Sequence, residues 1–164
     1  MTVRNFLAYC DDIIPSTEGL FSLIPADKIE WKPTENSFTV GQQLAHITGA
    51  LRVYGRGISG GDWGFKSMRE RFVLNRHTPS MSVADAVTEL HSSYAEFRSL
   101  VGTLSDEEFN TGEIDTPQLG RVPRWRVALL AVEHHLNHKA EIFMCLKLLG
   151  IAVNTGTLYA RARR

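Results

Sequence analysis

Apolar side chains recur at three- and four-residue intervals in several long segments of the chain, which is the period of an α-helix. Residues 2–24 carry such a stripe, and Pro15 predicts either a kink there or two consecutive helices. A second helix is predicted to begin at Thr39, because Thr39 and Gln42 have the spacing of a capping box. The apolar face of this helix consists of Val40, Leu44, Ile47, Leu51 and Tyr54.

The middle of the chain contains breaks and further helices. Five glycines between positions 55 and 64 predict that regular structure ends there. Residues 65–74 are a candidate short helix. A third long helix is predicted from the capping pair Ser82 and Asp85 to about Leu100, and residues 105–109 have the pattern of one capped turn.

The last long helix is predicted from about Arg124 to Leu149, followed by Gly150 as the terminating residue. Its expected buried stripe is Trp125, Leu129, Val132, Leu136, Phe143 and Leu146. Before it, residues 111–124 have no periodicity, and no segment has a convincing strand alternation. The pattern therefore predicts one all-α domain over residues 1–164, an antiparallel bundle of four main helices.

The amino-acid composition narrows the range of possible partners and cellular locations. Lys plus Arg and Asp plus Glu each number 18, so the formal net charge is zero. This balance argues against a nucleic-acid partner and against an anionic membrane surface. Cys10 and Cys145 are far apart and form no C-x-x-C motif, so we expect reduced thiols. Because the N-terminus also has no apolar signal core, the expected location is the cytoplasm.

Three of the six histidines fall within residues 134–138. His134 and His138 are four residues apart and share one helix face, which makes them a candidate two-nitrogen clip for a metal ion. His135 is rotated by about 100° from that face and is expected to be a bystander or a supporting group. The pair alone is equally consistent with ordinary polar residues.

His46 is the natural third ligand, since it lies in the otherwise small and apolar segment QLAHITGAL, although a hydrogen-bonded core histidine is the alternative. His77 and His91 are expected to be solvated and without function. Three imidazoles would leave a coordination position open for water or substrate. Imidazole suits Zn²⁺, Ni²⁺, Fe²⁺ and Cu²⁺, and we expect a divalent ion, with Zn²⁺ or Ni²⁺ first.

Glu141 returns to nearly the same helix face as His134, seven residues later. It is the candidate catalytic residue, as a general base for metal-bound water. Its other possible roles are a fourth ligand, an acceptor that orients an imidazole, or a surface glutamate paired with Lys139 or Lys147.

Four motifs in fixed order resemble the DinB-like superfamily, named for damage-inducible bacterial proteins. They are W-x-P at 31–33, G-x-x-L-A-H at 41–46, H-x-x-x-H at 134–138 followed by Lys139, and L-x-x-L-G at 146–150. The resemblance spans roughly residues 15–155. It implies an up-down-down-up four-helix bundle, often a homodimer, with His46, His134 and His138 as the metal ligands. One departure is Glu141, where family members commonly have a glutamine.

The resemblance also implies a reaction class. Characterised relatives include enzymes that use the metal to activate a low-molecular-weight thiol for transfer or for isomerisation of a thiol adduct. A metal-dependent thiol S-transferase is therefore the first hypothesis. A hydrolase that uses metal-bound hydroxide and a non-catalytic metal-binding protein of the stress response are the alternatives.

Three residues near His46 are candidates for binding the thiol or another small-molecule substrate. Arg52 and Tyr54 follow His46 on the second helix, and Trp63 lies in the glycine-rich segment. For each of them taken singly, an exposed end of a helix or loop is the more common explanation. A homodimer interface is expected to involve residues 116–125 or the tail 154–164, whose arginines are equally consistent with a solvated end.

Overall fold

The computed structural model describes residues 1–160. These residues form seven α-helices, one 3₁₀ helix and one two-stranded antiparallel sheet. In chain order the elements are α1 (Val3–Phe21), the 3₁₀ helix (Ala26–Lys28), α2 (Val40–Gly60), α3 (Met68–Arg76), α4 (Val83–Gly102), α5 (Asp106–Thr111), β1 (Glu113–Thr116), β2 (Gly120–Pro123), α6 (Arg124–Leu148) and α7 (Thr155–Tyr159). The prediction of a mostly helical protein is confirmed.

The four long helices pack around one hydrophobic core. Helix α2 packs against both α4 and α6, and α1 packs against the same two helices. Among the largest fully buried side chains are Phe6, Phe21, Phe97, Phe109, Leu20, Leu44, Ile47, Leu90 and Ile142. Within the described residues, no helix combines the length and the apolar composition that crossing a bilayer requires.

Helix α1 continues through Pro15 as a single element, so the predicted division into two helices does not occur. Proline removes one backbone donor from the helix. On the same turn, the hydroxyls of Ser16 and Thr17 both donate to the Ile13 carbonyl oxygen, at 2.8 and 3.3 Å. Both hydroxyls are buried, which places polar groups at the surface where α1 meets α6.

Helix α2 begins where the sequence predicts it, with Thr39 and Gln42 forming the capping box, and its five predicted apolar positions are buried. The predicted break at the first glycines is wrong, because the helix continues to Gly60. Gly55 and Gly57 serve close packing instead. A Cβ at Gly55 would lie 2.9 Å from the Phe97 Cα, and one at Gly57 would overlap the Trp63 ring.

The elements between α2 and α6 agree with the sequence except for the hairpin. The predicted short helix, third long helix and capped turn are present as α3, α4 and α5. Strands β1 and β2 contradict the expectation that no strand forms. The strands pair antiparallel, with Glu113 opposite Pro123 at one end and Thr116 opposite Gly120 at the other. Gly120 has φ +68° at the turn between them. Four residues per strand are too few to produce a period-2 signal.

Helix α6 has the predicted bounds to within one residue, and Gly150 follows it with φ +78°. The predicted buried stripe is largely wrong, since Leu136 is exposed and Trp125, Leu129 and Val132 are only partly buried. The buried positions are Val127, Ala128, Ala131, His135, Lys139, Ile142, Phe143 and Leu146. Apolarity alone misplaces this face because two polar side chains, His135 and Lys139, are buried with partners on α1.

Between α6 and residue 160 the chain forms one further helix, α7, which the sequence pattern did not predict. Asn154 caps it, with its side chain accepting from the Thr157 N–H. The three arginines of the tail, at positions 161, 163 and 164, lie outside the described residues.

Candidate metal centre

His46 on α2 faces His134 and His138 on α6, and the Nε2 atoms of all three rings converge on one point. His46 Nε2 lies 3.2 Å from His134 Nε2 and 3.1 Å from His138 Nε2. The third side of this triangle, between the two α6 histidines, is 3.2 Å. The helical i, i+4 spacing sets that third distance, and the packing of α2 on α6 sets the other two.

The three nitrogens have the spacing of a metal site. Nitrogens bound about 2.0–2.1 Å from a tetrahedral Zn²⁺ lie about 3.3–3.4 Å from one another, close to the separations in this triangle. Protons cannot satisfy all three contacts, because each neutral ring has one N–H and each Nε2 can donate in only one direction. A cation is the one partner that all three lone pairs can share. The donor set therefore fits a divalent ion with at least one further coordination position.

Burial keeps two of these imidazoles neutral near pH 7. Desolvation, followed by the charges of His138 and Arg71, lowers the pKa of His46 to about 4. Desolvation is also the largest cause that lowers the pKa of His134 to about 3. The charges of His138, His46, His135 and Arg71 lower it further. Neutral imidazole is the form that binds metal, so these ligands need not lose a proton first.

Glu141 contacts the side of His138 that faces away from the triangle. Its Oε2 lies 2.7 Å from His138 Nδ1, and the side chain is 58% exposed. Gln43 Nε2 donates to the same carboxylate oxygen and lies 2.7 Å from His138 Nδ1. Of the roles predicted for Glu141, the geometry matches an acceptor that orients an imidazole. It does not match a fourth ligand or a base for a water on the ion.

A cavity of about 570 Å³ opens from the histidine triangle. It is lined by Asn36, Phe38, His46, Ala50, Val53, Tyr54, Trp63, Phe65, Met68, Arg71, Phe72, Asn75, Arg76, Gln118, Leu119, Leu130, His134 and His138. Two of the three predicted substrate-binding residues, Tyr54 and Trp63, are among them. The Tyr54 ring packs edge-on against His134 at 5.4 Å between centroids, and Trp63 Nε1 donates to the Asp115 carbonyl oxygen at 2.9 Å. Both side chains therefore form part of the cavity wall.

Residues 13–142 match the family model of the DinB superfamily, and this span contains all three converging histidines. The chain belongs to the DinB superfamily. A solved structure of a DinB-like protein, YjoA from Bacillus subtilis, resembles this chain with a TM-score of 0.69. The identity is 19%, over 91% of this chain and 94% of that one. No curated protein matches the sequence.

In this DinB-superfamily chain, Arg52 does not line the cavity. Its guanidinium pairs with Glu96 at 2.7 Å and with Glu89, both on α4. Arg52 follows His46 by six residues, which rotates it toward α4 rather than toward the histidine triangle. The expectation that Arg52 binds a cofactor is therefore not met by its position, and it links α2 to α4 instead.

His135 and Lys139 lie on a different face of α6, about 100° around the helix from His134 and His138, where they contact α1. His135 Nε2 lies 2.9 Å from the Thr17 hydroxyl, and the Lys139 ammonium donates to the Ser16 hydroxyl at 2.6 Å. Desolvation, then the charges of Lys139 and His138, lowers the pKa of His135 to about 3. His135 is thus buried, and it lies outside the histidine triangle.

The other two histidines are exposed, as expected. His91 contacts Glu18 at 3.2 Å, and His77 is the C-terminal cap of α3. Neither belongs to the histidine triangle. Two residues near the site were not predicted from the sequence. Gln43 contacts His138 and Glu141, and Arg71 lines the cavity. Gln43 had a usable signal, since it precedes His46 by three residues and so shares its helix face. Arg71 had none, because α3 has no strong apolar pattern.

Proposed function

We propose that this protein is a metal-dependent enzyme that binds a small thiol at a divalent ion and transfers it to an electrophile, or isomerises a substrate through a thiol adduct. His46, His134 and His138 would hold the ion. One observation carries the proposal: three Nε2 atoms within 3.2 Å of one another open onto a cavity of about 570 Å³. We also propose that the four long helices form an up-down-down-up bundle.

A divalent ion, when bound, lowers the pKa of a thiol so that the thiol is a nucleophilic thiolate near neutral pH. The protein residues prepare that site. Burial keeps His46 and His134 neutral, as their low pKa values of about 4 and about 3 indicate. Glu141 accepts from Nδ1 of His138, which leaves the Nε2 lone pair directed toward the other two rings.

The cavity favours thiol chemistry over hydrolysis. The hydrolase alternative assigns the general base to Glu141, which would have to lie within hydrogen-bonding reach of a water on the ion. None of the cavity's lining residues, all within the described part of the chain, is Asp or Glu. Glu141 lies beside a different cavity, on the far side of His138.

Cobalt(II) substitution offers a direct test, because a thiolate ligand gives cobalt(II) a charge-transfer absorption in the near ultraviolet. We expect 2-mercaptoethanol to produce this band in the cobalt-loaded wild-type protein, with saturation and release of a proton. His138→Ala should not produce it. His91→Ala is the matched control, since His91 is an exposed helical histidine that contacts Glu18, and it should behave as wild type.

The alternatives give different results in the same experiment. A thiol that leaves the cobalt spectrum unchanged at saturating concentration would contradict the thiol proposal. A thiol band with neither consumption of thiol by electrophiles such as alkyl halides and epoxides nor thiol-dependent isomerisation of any substrate tried would favour a binding protein without turnover. Release of product from esters or amides by the zinc-loaded protein without thiol would favour the hydrolase.

A further inference from the structure

Arg71 on α3 is a half-buried cation that has no anionic partner among the described residues. Its guanidinium lies over the Phe65 ring, with 5.7 Å from the guanidinium carbon to the ring centroid. Several other helix arginines are paired with carboxylates. Arg52 pairs with Glu89 and Glu96, and Arg98 lies 3.1 Å from Asp11. An arginine that is partly withdrawn from water and left unpaired is available to an anionic ligand.

The cavity around Arg71 carries positive charge and no negative charge from its lining. Arg71 and Arg76 are its charged lining residues within the described chain, alongside the three histidines. Asn36, Asn75 and Gln118 add hydrogen-bonding groups. The remaining wall is mainly aromatic and aliphatic, including Phe38, Tyr54 and Trp63. The lining therefore suits a small molecule with an apolar body and an acidic group.

We propose that Arg71 is the anion-binding residue of this cavity and that the ligand bound at the histidine triangle carries a carboxylate. This inference rests on the proposed thiol function and specifies the substrate class. The planar guanidinium can donate two parallel N–H bonds to a carboxylate, which fixes both the position and the orientation of the ligand. With one end at Arg71 and the sulfur at the triangle, the ligand would be held at two points across the cavity.

Matched thiols test the proposal. We would titrate zinc-loaded protein by calorimetry with 3-mercaptopropionate and with its neutral analogue 3-mercaptopropionamide. Wild type should bind the carboxylate roughly tenfold to a hundredfold more tightly than the amide, the range of a charge-assisted hydrogen-bonded pair. Arg71→Gln should bind both equally, with the affinity for the amide unchanged. Arg69→Gln is the control, since Arg69 is exposed on the same helix and does not line the cavity.

Two further measurements separate the loss of the Arg71 contact from damage to the cavity and from effects of the metal ion. Arg71→Lys keeps the charge without the planar fork and should retain part of the preference, which shows that the cavity is intact. Metal-free protein titrated with 3-phenylpropionate, which has no thiol, should still prefer the carboxylate to the corresponding amide. The preference should again be lost in Arg71→Gln.

The outcomes distinguish this inference from the proposed function. Equal affinity of wild type for the two thiols, or an undiminished preference in Arg71→Gln, overturns the role of Arg71. If cobalt-loaded protein gives the thiolate band in either case, the proposed function stands. An Arg71-dependent preference for 3-phenylpropionate without any thiolate band supports the anion site and contradicts the thiol function. Absence of binding by every probe overturns the inference.

Discussion

Glu141 Oε2 lies 2.7 Å from Nδ1 of His138, while Nε2 of the same ring lies 3.1 Å from His46 Nε2. The two nitrogens of one imidazole thus have opposite tasks. A carboxylate at Nδ1 holds a proton there, so Nε2 keeps its lone pair for an ion. The carboxylate also makes the imidazole more basic and therefore a stronger ligand. The glutamate at position 141 supports the site from behind His138.

Glu141→Gln should lower the affinity for zinc about tenfold to a hundredfold, because a neutral amide accepts the Nδ1 proton more weakly. The measurement is a competition titration against a chromophoric chelator. Glu133→Gln is the matched control on the same helix, with a side chain that is 55% exposed and 3.6 Å from Arg126. An affinity equal to that of wild type in Glu141→Gln would show that the carboxylate is a surface group without influence on the site.

Two glycine substitutions in α2 should have opposite effects on stability. A Cβ at Gly57 would overlap the Trp63 ring, so Gly57→Ala should cost about 1–3 kcal/mol and displace a wall of the cavity. A Cβ at Gly49 meets nothing within 4 Å, so Gly49→Ala should stabilise the helix by about 0.5–1 kcal/mol. Urea denaturation measures both, and tryptophan fluorescence reports on Trp63. Equal effects would refute the close Gly57–Trp63 packing.

His135→Ala should lower the free energy of unfolding by about 1–3 kcal/mol without reducing the metal content. The variant leaves the buried Thr17 hydroxyl without its 2.9 Å partner, but it removes none of the three histidines of the triangle. Urea denaturation of metal-free protein gives the first quantity, and elemental analysis gives the second. Loss of metal with unchanged stability would place His135 at the metal site and reverse its assigned role.

Arg52→Gln should leave metal and ligand binding unchanged and should reduce stability by about 1 kcal/mol or less. Its ion pairs with Glu89 and Glu96 join α2 to α4 but remain partly exposed, and such pairs contribute little. Thermal unfolding at low and high salt measures the stability, and salt should diminish the difference from wild type. A fall in thiol affinity would return Arg52 to the substrate-binding residues.

The sequence predicted those features that depend on local period and spacing. The start of α2, the bounds of α6 and the convergence of His134 with His138 all follow from helical geometry. The end of α2 was mispredicted because Gly55 and Gly57 are required by contacts with Phe97 and Trp63, which are distant along the chain. Glycine has the same local signature whether it ends a helix or admits a neighbour.

Tertiary partners account for the remaining errors. His135 and Lys139 look like solvated positions in the sequence, yet Thr17 and Ser16 supply their hydrogen bonds in the core. Arg52 and Arg71 are indistinguishable as residue types near the site. Only the structure places Arg52 against the glutamates of α4 and Arg71 in the cavity wall.

The most direct measurement is the metal content of the untagged protein after loading and desalting, for wild type beside His46→Ala and His138→Ala. The Nε2 triangle predicts about one tightly bound divalent ion per chain in wild type, lost in both variants. His77→Ala, with an exposed histidine outside the cavity, should keep its ion. Wild-type protein that takes up no zinc, nickel or cobalt, or variants that retain a full equivalent, would contradict the metal centre.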